Sequence, residues 1–231
     1  MPRYVNMMAP RPTWAKKFEA RGRALIGHLL TNPTVFYDPM LTAANWLRAG
    51  TQVPAMSLVG TSQGGAMRFD TTAAASQNSD AYLSNVAGAA RSVILTRPST
   101  VPWYLAFRAS FDTAIDAAAQ MSGGLIDAAL GTAGLQFGVV GPVSAAKFAA
   151  VSGANNAQSS VNYAQGVHEI ETWGVGTTAL LFRVNGETPV PLTYGNGAVD
   201  GWTIWCTTVN GGGGGQRSWR MTDVLSLTNG L

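Results

Sequence analysis

The sequence predicts an all-β fold, an antiparallel β-sandwich or barrel that follows a basic N-terminal arm and helix. From about residue 32 onwards, short runs rich in β-branched and aromatic residues alternate with Gly, Asn, Pro and Ser turns. Roughly ten such runs recur at spacings of about 8–20 residues, as in sandwiches and barrels. Alternation is clear in one of them, where Leu180, Phe182 and Val184 share one face of a strand.

The segments predicted as strands follow from this pattern. In chain order they are residues 34–38, 66–72, 92–96, 102–111, 134–141, 147–153, 167–175, 178–186, 201–210 and 218–228. Asn185-Gly186 is a strong signal for a tight turn, because both residue types tolerate positive φ angles. Residues 112–121 allow a short helix, and residues 124–130 fit either a short helix or a loop.

The N-terminal region has a different character. Residues 1–12 contain three prolines and no periodicity, so they predict an extended arm. Residues 13–30 predict a helix with an apolar stripe, although Gly22 and Gly27 disfavour it. The stripe consists of Trp14, Phe18, Leu25 and Leu29. We therefore divide the chain into an arm and amphipathic helix, residues 1–33, and a β-sandwich domain, residues 34–231.

Charge is concentrated in the first region. Residues 1–30 contain six Lys or Arg and one Glu, a net charge of 6 − 1 = +5, whereas residues 31–231 contain nine Lys or Arg and eleven Asp or Glu, a net charge of 9 − 11 = −2. Such basic arms bind acidic protein surfaces, nucleic acid or membranes. The helix could equally be an ordinary one packed on the domain. The predicted attachment residues are Arg3, Arg11, Trp14, Lys16, Lys17, Phe18, Arg21 and Arg23.

The amino-acid composition restricts the class of protein and the compartment in which it folds. Only 12% of the 231 residues are charged, about half the usual share, which indicates either burial in an assembly or a GC-rich genome. The single cysteine, Cys206, allows no internal disulfide and fits a reducing compartment. The sequence has neither an apolar run of membrane-spanning length nor the pattern of a signal peptide, so we expect no membrane association.

Residues 60–64, Gly-Thr-Ser-Gln-Gly, match the G-x-S-x-G pattern of serine hydrolases. Ser62 would be the nucleophile and His168 the base, with Asp112, Asp116 or Asp127 as the acid. The elbow requires a helix directly after the serine, but residues 66–76 read as a strand and a loop. We therefore expect Ser62 to lie in a turn that leads into the strand from Ala66.

Two further motifs suggest chemistry less strongly. Glu169 and Glu171 lie on the same side of a predicted strand, as paired carboxylates in glycosidases do, but two solvated glutamates on an outer face explain them equally well. The glycine run at 210–219 lacks the lysine and helix of a phosphate loop and predicts a hairpin loop. No group of residues has metal-ligand spacing, so we expect no metal and no cofactor.

Tryptophans offer a route to binding rather than catalysis. Exposed indoles stack on sugar rings or anchor protein partners. Trp202 and Trp205 have opposite parity on one predicted strand, so one of them is expected to face outward. The tryptophans on predicted strands are Trp103, Trp173, Trp202, Trp205 and Trp219.

The order of several motifs resembles the concanavalin A-like, laminin-G-type jelly-roll domains of tailed-bacteriophage structural proteins. The motifs are FYDPMLTAANW (36–46), AMRFDTT (66–72), PWYLAFRASF (102–111), GLQFGVVG (134–141), HEIETWGVGTTALLFRVNG (168–186) and RMTDVLSLT (220–228). Matching positions are Phe36, Asp38, Trp46, Leu135, Phe137, Val184, Asn185, Gly186 and Asp223. The metal and sugar ligands of the lectins do not map onto this chain.

This resemblance implies an antiparallel β-sandwich in a virion protein that is not an enzyme. The leading hypothesis is a capsid decoration or cementing protein, made in the bacterial host cytoplasm, that docks on the major capsid protein or other virion subunits. We expect a homo-oligomer, with a trimer favoured, and no sequence-specific nucleic acid binding. The alternatives are a carbohydrate-binding module of a phage head or tail fibre, with host glycan as ligand, and a serine hydrolase using Ser62.

Overall fold

The computed structural model describes residues 13–40, 45–58, 65–74, 77–84, 93–95, 98, 100–114, 116–127, 134–175, 179–195, 201–210 and 215–229. These residues form one α-helix, α1 (Thr13–Ile26), a 3-10 turn (Gly27–Leu29) and fifteen strands. The strands are β1 (Pro33–Asp38), β2 (Trp46–Gly50), β3 (Ala55–Leu58), β4 (Gly65–Asp70), β5 (Gln77–Leu83), β6 (Pro102–Phe111), β7 (Ala119–Asp127), β8 (Gly134–Val140), β9 (Lys147–Ser152), β10 (Asn155–Asn162), β11 (Gly166–Val175), β12 (Ala179–Val184), β13 (Val190–Thr193), β14 (Trp202–Asn210) and β15 (Ser218–Asn229).

The strands form two antiparallel sheets that pack face to face. The eight-stranded sheet has the order β13-β12-β11-β6-β15-β4-β3, with β1 also paired to β15. The seven-stranded sheet has the order β10-β9-β8-β7-β14-β5-β2. Between them lies an apolar core that includes Phe107, Phe137 and Trp202. The predicted all-β antiparallel sandwich is confirmed.

The position of β1 brings the N-terminal helix onto the sheet. β1 pairs with the second half of β15, from Val224 to Asn229, while β4 pairs with the first half, from Ser218 to Met221. Because α1 precedes β1 by only a short connection, it packs on the outer face of the eight-stranded sheet. There Trp14, Phe18 and Ile26 form a second apolar cluster with residues of β6, β11 and β15. The helix predicted over 13–30 is thus an α-helix to Ile26 followed by a 3-10 turn.

Gly22 explains how closely the helix approaches the sheet. A Cβ atom at this buried position would lie 2.4 Å from Leu227 Cδ1 and 2.8 Å from Tyr104 Cδ1. A glycine is unfavourable inside an isolated helix, but here the missing side chain permits the packing. The apolar stripe also differs from the predicted one at its end, where Ile26 and Leu30 are buried and Leu29 is 37% exposed.

Most predicted strands are present. Residues 102–111 coincide with β6, and residues 134–141 and 218–228 match β8 and β15 closely. Residues 112–121 contain no described helix, and the described part of residues 124–130 belongs to β7. Of residues 92–96, Leu95 forms only an isolated bridge to Trp202. The predictions omit β2, β3, β5, β7, β10 and β13. Small and polar residues weaken the alternation in the first five, and β13 contains a proline, which disfavours a strand.

The FYD…W motif has a structural explanation. The buried carboxylate of Asp38 accepts hydrogen bonds from Met40 N at 2.7 Å, Asn45 Nδ2 at 3.0 Å and Trp46 Nε1 at 2.9 Å. Burial raises the pKa of Asp38, and these hydrogen bonds oppose that shift. The motif therefore ties the end of β1 in one sheet to the start of β2 in the other.

The Asn185-Gly186 turn is confirmed. Asn185 has a φ of 52° and Gly186 a φ of 78°, and Glu187 N donates to Val184 O at 3.1 Å. Two successive positive φ angles in such a turn are what the Asn-Gly pair supplies.

Candidate functional site

The serine hydrolase hypothesis gains no support from the described part of the site. Ser62 lies outside the described residues, so its predicted turn is not tested. His168 is described, and both ring nitrogens have partners: Nε2 donates to Ala164 O at 2.9 Å, and Nδ1 accepts from Asn185 Nδ2 at 3.0 Å. Its ring packs 4.7 Å from the Phe148 ring, in the core. His168 is therefore held as a structural residue rather than presented as a base.

Glu169 and Glu171 do lie on an outer face, but α1 covers them. Glu171 is 1% exposed, and its carboxylate accepts from Tyr104 Oη at 2.7 Å, from Arg21 Nη1 at 3.1 Å and twice from Arg183, at 3.0 and 2.8 Å. Glu169 pairs with Lys17 at 3.0 Å. The interpretation as two solvated glutamates is wrong for Glu171. A carboxylate occupied in this way has no room for the substrate and water that a glycosidase needs.

The predicted attachment residues are largely engaged within the chain. Arg3 and Arg11 lie outside the described residues. Trp14 and Phe18 are buried against the sheet. Lys17 and Arg21 pair with Glu169 and Glu171, and Arg23 pairs with Glu19 at 2.9 Å. Lys16 is exposed. The helix thus uses two of its four cations, Lys17 and Arg21, to dock on its own domain.

A different set of polar residues occupies the outer face of the seven-stranded sheet. On β14, Trp202, Ile204 and Cys206 point into the core, so Thr203, Trp205, Thr207 and Val209 point outward. The expectation that one of Trp202 and Trp205 faces outward is confirmed. The strand register places these positions in rows. One row contains Tyr82, Trp205, Gly124 and Gln136, and the next contains Asp80, Thr207, Ser122 and Gly138.

We call this surface the polar face, defined by Asp80, Tyr82, Ser84, Gln120, Ser122, Gln136, Trp205 and Thr207. Its floor is buried and its rim is half-buried. Ser122 is 0% exposed, Ser84 3% and Trp205 8%. Tyr82, Gln120 and Gln136 are half-buried around them. The α1 helix packs on the other sheet.

Three buried atoms on the polar face have no hydrogen-bond partner among the described residues: Ser84 Oγ, Ser122 Oγ and Trp205 Nε1. Buried polar atoms are nearly always paired in native proteins, so each exception requires an explanation. An unpaired buried group costs about 1–3 kcal/mol. These three atoms lie on one face of one sheet.

Asp80 carries the charge of the polar face. Its Oδ1 accepts from Thr207 Oγ1 at 2.5 Å, and its Oδ2 accepts from Asn78 Nδ2. Nearby, Gln136 Nε2 approaches Gln120 Oε1 at 3.5 Å. These contacts fix a carboxylate, two amides and a hydroxyl beside the indole of Trp205.

The indole lies across the sheet rather than standing on it. A Cβ atom at Gly134 on β8 would lie 3.5 Å from Trp205 Cζ3, so the ring reaches two strands away from its own backbone. Gly124, opposite Trp205 on β7, is required by the neighbouring strand, because a Cβ atom there would lie 1.8 Å from Leu135 O.

The sequence predicts that one of Trp202 and Trp205 faces outward but does not predict the rest of the polar face, because β5 and β7 are not among the predicted strands. A signal exists in both. In β5, Ala81 and Leu83 alternate with Asp80 and Tyr82, and in β7, Met121 alternates with the polar residues beside it. Small residues hid this alternation.

Two further observations concern the prediction that the protein binds no metal and does not associate with a membrane. No three His, Cys, Asp or Glu side chains among them come together as a metal-binding group. No helix within them has the length and apolar character needed to cross a bilayer. The absence of a metal and of a cofactor in the working protein stays a prediction.

Comparison with known proteins identifies the fold. No protein-family model matches the chain, and no curated protein matches its sequence. Solved structures do resemble it. Peanut lectin matches with a TM-score of 0.59 at 10% identity, covering 86% of this chain and 98% of the lectin.

Two bacteriophage proteins resemble it as well. A carbohydrate esterase of the Shiga toxin-encoding bacteriophage phi24B gives a TM-score of 0.52 at 12% identity, covering 86% of this chain and 98% of the esterase. The CBM2 module of the evolved Dit of Lactobacillus casei BL23 phage J-1 gives 0.50 at 12% identity, covering 86% and 97%. At such identities these likenesses show the fold alone. The chain has a concanavalin A-like, lectin-like β-sandwich jelly-roll fold.

Proposed function

We propose that this chain is a carbohydrate-binding module and that the polar face holds the glycan. The observation that carries the proposal is the set of three unpaired buried atoms, Ser84 Oγ, Ser122 Oγ and Trp205 Nε1, on one outer face. The fold places them there at an energetic cost that a bound ligand would offset.

The chemistry of the polar face suits a sugar. A pyranose presents apolar C–H groups on its ring faces and hydroxyl groups around its edge. Aromatic rings such as Trp205 and Tyr82 pack against the apolar ring faces, and an indole N–H also donates a hydrogen bond. Hydroxyl, amide and carboxylate groups bind the sugar hydroxyls, because each sugar hydroxyl both donates and accepts. Ser122, Gln136 and Asp80 supply all three group types.

The comparisons support this proposal without deciding it. A lectin and a CBM2 module share the fold, but so does an esterase. One fold hosts binding and catalysis alike, so the argument rests on the residues of the polar face.

The test is glycan binding by the full chain and by matched variants. A broad glycan array followed by calorimetry on the best ligand identifies and measures binding. We expect Ser122→Ala to weaken binding about three- to tenfold, which corresponds to one hydrogen bond of roughly 0.5–1.5 kcal/mol. Trp205→Phe keeps a ring and removes the N–H, and we expect a loss of similar size.

Ser79 provides the control. Its hydroxyl is also fully buried and unpaired, and it lies on β5, one strand from β14. Its neighbours in the strand, Asp80 and Asn78, face outward, so Ser79 faces the core. Ser79→Ala should leave affinity unchanged. The proposal would be overturned if no glycan on the array bound, or if Ser79→Ala and Ser122→Ala lowered the affinity equally.

Docking on a capsid remains the alternative proposal. It draws on the +5 charge of residues 1–30, which includes Arg3 and Arg11, outside the described residues, and the exposed Lys16. Deleting residues 1–30 would expose the apolar face under α1 and confound the result. Deletion of residues 1–12 alone is the sharper test, and it should abolish binding to purified capsids. Full binding by this variant contradicts the proposal.

Two related expectations stay predictions. We propose that the protein is a homo-oligomer, with a trimer favoured, which a mass measurement in solution tests. We also propose that it is not an enzyme. A fluorophosphonate probe that labels wild-type protein and fails to label Ser62→Ala would contradict this.

A further inference from the structure

The three unpaired atoms of the polar face belong to three neighbouring strands of the seven-stranded sheet. Trp205 is on β14, Ser122 is on β7 on one side of it, and Ser84 directly follows β5 on the other side. Ser122 pairs with Thr207, which is two residues after Trp205 along β14. Ser122 is therefore displaced from Trp205 both across the strands and along them.

Ser84 is displaced from Trp205 in the opposite sense. The antiparallel register between β5 and β14 puts Ser84 beside Thr203, two residues before Trp205. A hydrogen bond of 3.3 Å from Thr203 Oγ1 to Leu83 O agrees with this position. Ser84, Trp205 and Ser122 thus define a diagonal across the sheet, with Trp205 at its centre.

This diagonal is longer than one sugar. Two strand spacings separate β5 from β7, and Thr203 and Thr207 lie four residues apart along β14. At about 4.8 Å per spacing and about 3.4 Å per residue, Ser84 and Ser122 are about 17 Å apart, and each is about 8 Å from Trp205. A pyranose ring is only about as wide as one strand spacing, roughly 5 Å, so about three linked rings are needed to span the diagonal.

Two amides cover the Ser122 end of the diagonal. Gly138 on β8 pairs with Ser122, and Gln120 and Gln136 each lie two residues before one member of this pair. Because the strands are antiparallel, the glutamines are on opposite sides of the pair, and their side chains meet above it at 3.5 Å. They shield Ser122 without pairing with its hydroxyl. Their contact is longer than a normal hydrogen bond, so little is lost when sugar hydroxyls replace it.

We infer that the polar face binds the interior of a linear oligosaccharide, with one ring against Trp205 and the adjoining rings at Ser84 and Ser122. The inference rests on the proposed carbohydrate binding and adds the form of the ligand. A site for the terminal sugar of a branched glycan would gather its unpaired groups around one ring. On the polar face they are instead spread along a line that only a chain of rings can follow.

Chain length tests the inference directly. Calorimetry on the full chain compares monosaccharide to hexasaccharide in four unbranched series, the cello-, malto-, manno- and chitooligosaccharides. In a series that binds, affinity should rise about tenfold or more from monosaccharide to trisaccharide, because each serine adds a hydrogen bond worth about three- to tenfold. Beyond the tetrasaccharide it should stay nearly constant. Reducing the terminal sugar of the hexasaccharide to its alditol should leave affinity unchanged, because the bound rings are interior.

Ser84→Ala and Ser122→Ala act at opposite ends of the diagonal. Each should weaken binding of the tetrasaccharide about three- to tenfold, and the double variant should lose the product of the two factors, since the sites are far apart. A disaccharide reaches only one serine from Trp205, so at most one of the two substitutions should weaken its binding. Ser79→Ala is the control, because this unpaired hydroxyl faces the core, and it should leave every affinity unchanged.

The outcomes separate the two claims. The inference fails, and carbohydrate binding stands, if a monosaccharide binds as tightly as the tetrasaccharide, if reduction of the chain end lowers affinity, or if both serine variants weaken disaccharide binding. It also fails if only branched glycans bind on the array. If neither these oligomers nor any glycan on the array binds, the proposed function is overturned and the inference with it.

Discussion

On the outer face of the eight-stranded sheet, the carboxylate of Glu171 has four hydrogen bonds, whereas on the outer face of the seven-stranded sheet three buried polar atoms have none. Both faces belong to central strands, and both carry tryptophan. The first is closed by α1, which supplies Arg21 and an apolar stripe. An unpaired buried atom also occurs beneath α1, at Trp14 Nε1, next to residues outside the described ones.

The difference shows what the helix does. Without α1, Glu171 would lose Arg21, and the apolar side chains of Tyr104, Trp173 and Leu227 would meet water. The helix α1 is therefore an integral layer of the domain. The seven-stranded sheet has no layer of this kind among the described residues, and the proposed glycan would instead meet its unpaired hydrogen-bonding groups.

Among the substitutions that test this difference between the two outer faces, Glu171→Gln should change the stability most. Removing one partner from a buried ionic network leaves Arg183 and Arg21 uncompensated, and typically costs about 3 kcal/mol. We expect the free energy of unfolding, measured by urea denaturation, to fall by that amount. Glu169→Gln is the control, because the Lys17 pair is exposed and contributes about 0–1 kcal/mol. Equal losses in the two variants would show that α1 is not held by Glu171.

Gly22→Ala tests the close approach of the helix. Alanine favours an isolated helix over glycine by about 1 kcal/mol, but here its Cβ would overlap Leu227 and the Tyr104 ring. Overpacking costs about 1–3 kcal/mol, so we expect a net destabilisation of roughly 1 kcal/mol. At Gly27, a Cβ atom would lie 3.5 Å from Arg23 Cβ, an ordinary contact. Gly27→Ala should therefore be neutral or stabilising, and a thermal melt of both variants distinguishes the cases.

On the polar face, two substitutions should act in opposite directions. Ser122→Ala removes a buried hydroxyl that has no partner, so stability should stay constant or rise by up to about 1 kcal/mol. Thr207→Val removes a donor to the buried Asp80, so stability should fall by about 1–2 kcal/mol. Urea denaturation without ligand measures both. A clear loss of stability in Ser122→Ala would mean that its hydroxyl is already satisfied, and would remove the main support for a ligand.

The difference between the two outer faces also shows which strands and contacts can be predicted from the sequence. The sequence predicts strand β6 with its full bounds, since it is rich in aromatic residues and places Trp103, Leu105 and Phe107 on one face. Strands β5 and β7 were missed, because glycine, alanine and serine carry little hydrophobic signal. The ion pair between Arg21 and Glu171 joins residues 150 positions apart, a distance over which no local pattern operates. Parity alone predicts that one of Trp202 and Trp205 faces outward, as strand alternation is a local property, and the structure shows that it is Trp205.

The smallest effect on stability is expected from a change of pH, which acts on His168 in the core and on neither outer face. Burial lowers the pKa of His168 below its ordinary value of 6.5. The unfolded chain therefore binds this proton at a higher pH than the folded chain, so stability is complete above about pH 6.5 and falls as the pH drops towards the folded-state pKa. Protonation would also place a second donor against Asn185 Nδ2.

We expect the urea midpoint of the wild type to fall between pH 7 and pH 5 more steeply than that of His168→Gln. His28→Gln is the matched control, because His28 is exposed in the 3-10 turn and should keep the wild-type slope. Glycan affinity should be the same in all three proteins at pH 7, since His168 faces the core and not the polar face. Loss of glycan binding in His168→Gln, with folding intact, would instead show that this core histidine contributes to ligand binding on the polar face.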